Sequence, residues 1–142
     1  MKMTLIFILT LVSSILTAPP NGVATITRDE PLQPYEAIWN AVCAVESSGN
    51  PLAIGDKHLS EHSFGICQIR MVRLDDYYKR TGIRYAESDM FDPAKAKIVF
   101  MYYASMCKPW DNESISRSWN AGPRWEKVSV SKDYYLKVKR LL

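Results

Sequence analysis

Four short stretches of this sequence carry side chains that could do chemistry. The first holds Glu46, in Asn40-Ala-Val-Cys-Ala-Val-Glu46-Ser-Ser-Gly-Asn50. Counted along a helix from Tyr35, large apolar side chains fall at Ile38, Trp39 and Val42, and Glu46 is the next position on that face. At ~100° per residue it lies about 20° from Tyr35 around the axis, inside the apolar stripe. A carboxylate there must be desolvated, paired or employed. Burial among Trp39 and Val42 disfavours its charge, and so does the negative end of the helix dipole. Both raise its pKa towards that of a proton donor working near neutrality. The competing reading is the solvated end of a fraying helix.

The second stretch, His58-Leu-Ser-Glu61-His62, matches the H-x-x-E-H form in which two histidines one helical turn apart bind zinc. That chemistry needs a stable helix and a third ligand. The stretch lies between Gly55 and Gly65, with room for barely two turns and no apolar face to dock them, and the chain has no further histidine. No metal site is expected. In the third stretch, Ser63-Phe-Gly65-Ile-Cys-Gln68-Ile, Gly65 permits close approach of a ligand or backbone, and Gln68 offers an amide to a polar ligand. In the fourth, Ser118-Trp119-Asn120-Ala121-Gly122-Pro123, an amide and an aromatic face meet a helix stop. That combination suits a sugar and equally suits an ordinary helix end with a packed tryptophan.

Mainly helical elements must position these groups. A helix is expected over about 35–48, closed by Gly49-Asn50-Pro51. Residues 51–63 read as a loop with a turn at Gly55-Asp56 and at most a small hairpin. A helical pattern that allows an interruption runs from Phe64 to Arg80, with Ile66, Ile69, Val72 and Leu74 as apolar contacts. Asp92-Pro93 is a cap and first-position proline that opens a helix to about Met106. A short helix fits Glu113 to Asn120, stopped by Gly122, and a last one fits 131–142. The fold class is therefore α+β, mainly α.

The chain has 142 residues, 47% apolar and 23% charged, with a net charge of +3. Met1-Lys2-Met3, an apolar run to about Leu16 and Gly22-Val23-Ala24 read as a secretory signal peptide, cut after Ala24. Residues 25–34 form a polar lead-in, and 35–142 a single domain. Loss of residues 1–24 removes one lysine and leaves +2. That mildly basic balance does not argue for nucleic acid, and the apolar run falls short of the ~20 residues of a membrane span. Cys43, Cys67 and Cys107 permit at most one disulfide, and their spacing matches no zinc pattern. They read as small core residues.

Taken in order, Glu46-Ser47, Gly65-Ile-Cys-Gln68, Trp119-Asn120-Ala121-Gly122-Pro123 and Tyr134-Tyr-Leu-Lys137-Val138 resemble the lytic transglycosylase domain of the lysozyme-like superfamily. That family reads E-S near a helix end, G-L-x-Q, A-Y-N-A-G and a late Y-x-x-K-V. The resemblance spans roughly residues 35–140. Met90-Phe-Asp-Pro-Ala-Lys95 and the helix through Met101-Tyr-Tyr are similar to the family's middle segment. It implies a lysozyme-like fold that cleaves peptidoglycan glycan strands in the periplasm or outside the cell, as a monomer and without a cofactor.

The resemblance further implies that Glu46 acts alone, first as acid and then as base, giving 1,6-anhydromuramoyl ends. It places Ser47, Gly65, Gln68, Asn120 and Tyr134 around the reacting sugar, or Tyr135 should the register differ by one. The chain departs from the pattern at Trp119, where tyrosine is usual, and at Cys67, where methionine is usual. Asp56, Lys57 and Glu61 add charge to loop 55–63. A second carboxylate from that loop, Asp56 or Glu61, would make the enzyme a hydrolase, since inverting enzymes hold two carboxyls ~6.5–9.5 Å apart. A glycan-binding module without activity is the alternative outside the enzymes, and the glutamate at the motif position argues against it.

Overall fold

A computed structural model describes residues 35–142. The expected signal peptide and lead-in lie outside the described residues.

Helix α1, Glu36–Ser47, follows from its apolar stripe and buries Ile38, Trp39, Ala41, Val42 and Cys43. It ends where Ser48 (φ 55°) and Gly49 (φ 78°) turn left-handed. Their N–H groups donate back to the carbonyls of Ala44 and Cys43 at 3.0 and 3.2 Å. This closure satisfies the last carbonyls of the helix and leaves Glu46 in its final turn.

A three-stranded antiparallel sheet follows: β1 Ile54–Gly55, β2 Ser63–Phe64 and β3 Ile69–Arg70. Ile54 pairs with Phe64, and Phe64 with Ile69. The sheet has one strand more than a hairpin, and the helix expected from Phe64 begins only at Met71. The reason is local. Gly65 (φ 76°) and Gln68 (φ 54°) both adopt left-handed backbone, which no α-helix can pass through. Helix α2, Met71–Thr81, then turns Leu74 and Tyr77 inward. Val72, expected as an apolar contact, is exposed.

A 3-10 turn at Glu87–Phe91, with no counterpart in the sequence reading, leads into α3, Pro93–Ser105. As the Asp92-Pro93 pair requires, the Asp92 carboxylate accepts from the Ala94 N–H at 2.9 Å. Helix α4, Asn112–Ala121, is capped by Asp111 and stopped by Gly122. A second 3-10 turn, Trp125–Lys127, precedes α5, Val130–Lys139.

The core centres on Phe100 of α3, whose ring lies 5.3 Å from that of Trp39 and 5.0 Å from that of Trp119. Truncation of such a ring costs about 3–5 kcal/mol. Cys43 and Cys67 are buried free thiols in the same core, and Cys107 is a half-buried one. No helix among the described residues is long and apolar enough to cross a membrane.

One buried charge ties α4 to α5. Arg117 donates from Nε to Ser131 Oγ (3.0 Å), from Nη1 to Glu113 (2.8 Å) and from Nη2 to the Trp125 carbonyl (3.2 Å). All three nitrogens of the guanidinium are thus occupied. The clamp fixes α5 against the end of α4, and α5 carries Tyr134.

Candidate active site

Tyr134, buried on α5, points its hydroxyl at the last turn of α1 and donates to Glu46 Oε1 at 2.7 Å. The two residues are 88 positions apart, so the pair exists only because α1 and α5 pack together. Burial pushes the Glu46 carboxyl above the usual glutamate range. The Tyr134 hydrogen bond and the Arg73 charge pull it partly back, and the charge of Asp56 pushes it up again. Burial and the nearby carboxylate hold the Tyr134 hydroxyl far above its ordinary value. It therefore stays protonated and serves as a fixed donor. A carboxyl whose proton is retained to higher pH by burial, at the negative end of a helix, is suited to act as a proton donor.

Glu46 opens onto a polar cleft of about 420 Å³. The sheet side supplies Asp56, Ser63, Gln68 and Arg70; α2 supplies Arg73; the end of α4 supplies Trp119 and Asn120. Gln68 is braced rather than free. Its Nε2 donates to the carbonyls of Gly65 (2.9 Å) and Ala53 (3.3 Å), and its Oε1 accepts from Ser63 (2.7 Å). The exposed amide of Asn120 has no side-chain hydrogen bond among the described residues and is available to a ligand.

Two expected site residues serve the frame instead of the cleft. Ser47 turns its hydroxyl to the Ile66 carbonyl at 2.7 Å, tying the end of α1 to the β2–β3 connection. Gly65 is needed for packing: a Cβ there would sit 1.8 Å from the Met90 carbonyl oxygen. Neither lines the cleft. Of the two tyrosines, Tyr134 is the one bonded to Glu46.

The two carboxylates of loop 55–63 part company. Asp56 lines the cleft, and its Oδ2 accepts from Arg70 Nη2 at 2.7 Å and Nε at 3.1 Å. The hydrogen bond from Arg70 holds its carboxyl below the usual aspartate range. Glu61 instead accepts from the Val72 N–H at 2.6 Å and so caps α2. His58 and His62 are exposed on a loop of turns and bends, without the helix that two zinc-binding histidines would need.

Sequence reasoning missed Arg73. Its guanidinium lies 4.1 Å from the centre of the Trp119 ring and 4.8 Å from that of Tyr103. One nitrogen, Nη2, donates to the Trp119 carbonyl at 2.7 Å. Trp119 is therefore covered by an arginine and packed on Phe100, rather than offered bare to a sugar ring. Nothing in the local sequence distinguished it from Arg70 and Arg80, the other arginines of the expected helix.

No protein-family model matches the sequence, and no curated protein matches it. The fold is similar to that of a chain in the crystal structure of Aeromonas hydrophila PliI in complex with Meretrix lusoria lysozyme. The TM-score is 0.59 at 22% identity, covering 74% of this chain and 88% of that one. At that identity the likeness concerns the fold alone.

Proposed function

We propose that the protein is an exported peptidoglycan lytic transglycosylase with Glu46 as its general acid and base. The observation that carries this reading is the half-buried Glu46 carboxyl, held by Tyr134 and facing a polar cleft. The order of the four motifs supports it.

In this reading Tyr134 holds Oε1, and Oε2 meets the glycosidic oxygen between N-acetylmuramic acid and N-acetylglucosamine. Glu46 gives its proton to that oxygen as the bond to the muramoyl C1 breaks. The carboxylate then takes the proton of the muramoyl 6-hydroxyl, whose oxygen closes on C1. No water is consumed, and no cofactor is required. An intramolecular hydroxyl has a high effective concentration, which stands in for a second carboxylate. Asp56 is committed to Arg70 and, with a lowered pKa, is a weak base.

One observation favours a second reading. Asp56 lines the same cleft as Glu46 and stays ionised where Glu46 stays protonated. Carboxyls driven apart in this way also suit a hydrolase.

Mass analysis of fragments released from purified peptidoglycan in oxygen-labelled water separates the two. Transglycosylation gives 1,6-anhydro ends, ~18 mass units lighter than reducing ends and free of label. Labelled reducing-end sugars as primary products would overturn the transglycosylase reading in favour of the hydrolase.

A further inference from the structure

Arg73 stands apart from the arginines around it. Arg70, Arg80 and Arg117 each reach a carboxylate oxygen within 2.8 Å. Arg73 reaches none among the described residues; its one side-chain partner is the Trp119 carbonyl. It is desolvated by Trp119 and Tyr103. The neighbouring Glu46 interacts with it by charge, but makes no hydrogen bond to it, and burial disfavours the charged form of that carboxyl. A desolvated guanidinium with unused donors is costly unless a ligand pairs with it.

Its position names the ligand's place. Arg73 and Val72 line both the catalytic cleft and a second cleft of about 690 Å³, which extends past Tyr103 and Met106 to Trp125. A sugar beside Glu46 would therefore pass any bulky substituent across Arg73 into the second cleft. In peptidoglycan that substituent is the 3-O-lactyl group and the peptide attached to it, both of which can end in a carboxylate. Plain N-acetylglucosamine polymers have no such group.

We infer that Arg73, at the junction of the two clefts, is the receptor for a carboxylate carried on the 3-O substituent of the muramoyl residue. This assignment rests on the peptidoglycan reading above. Arg73 selects muramoyl strands over neutral glycans. The stacking on Trp119 and Tyr103 fixes the guanidinium plane for paired N–H···O bonds, which a lysine cannot form.

The test is NMR titration of the full chain with two ligand pairs. One is N-acetylmuramic acid and its carboxamide; the other is N-acetylmuramoyl-L-alanine and its carboxamide. A neutral N-acetylglucosamine trisaccharide is the control. The wild type should bind the acid of one pair about ten- to hundredfold more tightly than the amide, the range of a charge-assisted hydrogen bond. The pair that shows the preference identifies which carboxylate is read. In Arg73→Gln the acid-to-amide ratio should fall to within about twofold, and Arg73→Lys should restore part of it. Equal affinity for acid and amide in the wild type would overturn the assignment without any variant, and so would a ratio that survives in Arg73→Gln. If the wild type binds the neutral trisaccharide yet shows no acid preference, Arg73 alone is misassigned. If it binds no saccharide, the glycan reading falls and this inference falls with it.

Discussion

Glu46 and Asp56 face one cleft with the same functional group, and their surroundings drive them in opposite directions. Glu46 is fixed by a neutral phenol at a half-buried helix end, and desolvation raises its pKa. Asp56 sits on a half-exposed turn with its charge matched by Arg70, so its pKa falls. The proton therefore resides on Glu46 at pH values where Asp56 is ionised. Role follows environment rather than residue type, and four measurements press on that contrast.

Glu46→Gln carries the largest effect. Gln keeps the shape and still accepts from Tyr134, but it has no proton to give. The proposed lytic activity should fall by about 10³–10⁴-fold, the upper range of general acid–base help. Turnover above roughly a tenth of wild type would remove Glu46 from the role of acid. The same variant should be the more stable protein at high pH. The raised native pKa means that the folded wild type holds this proton more tightly than the unfolded chain does. Wild-type stability thus declines as pH rises from the ordinary glutamate range through the raised value. Thermal melts should favour the variant at pH 8 and lose that advantage at pH 4.

Tyr134→Phe comes next. Removing the donor leaves Oε1 unheld and should lower activity about tenfold. Because that hydrogen bond favours the ionised form, the high-pH limit of activity should move further up in the variant. A limb that stays in place would show that Tyr134 does not tune the acid.

Asp56→Asn sharpens the comparison from the other side. If Asp56 only pairs with Arg70 and shapes the cleft, the rate should change less than about tenfold. A loss of about 10²-fold or more would make Asp56 a working carboxylate and favour the hydrolase reading.

The smallest effect is expected from the double variant His58→Ala, His62→Ala, since both side chains are exposed and lie outside the cleft. Activity and its indifference to a chelator should both persist. Inhibition by chelation, reversed by zinc, would displace the whole carboxylate scheme.

Much of this was legible in the chain itself. The stripe Ile38, Trp39, Val42 placed Glu46 on a core-facing helix surface, because 3.6-residue periodicity is a local property. Asp92-Pro93 and Gly122 marked helix ends for the same reason: capping is decided within a few residues. Reading the segment 64–70 as the start of α2 also had a local cause. Its apolar residues fit a helix, while the left-handed turns at Gly65 and Gln68 are stabilised by distant groups. Those groups are the Ala53 carbonyl, to which Gly65 N–H and Gln68 Nε2 donate, and the Met90 backbone that only a glycine can meet. Long-range contacts likewise turned Ser47 and Gly65 into framework, sent Glu61 to cap α2 and bound Asp56 to Arg70. The sequence by itself thus determined the mainly helical class and the face that carries Glu46, since periodicity and caps act between near neighbours. Only the tertiary structure decided which carboxyl holds its proton to higher pH and which cleft arginine has no carboxylate partner among the described residues. Those properties depend on burial and on charges brought together from as far as 88 residues away, and no short window of sequence contains them.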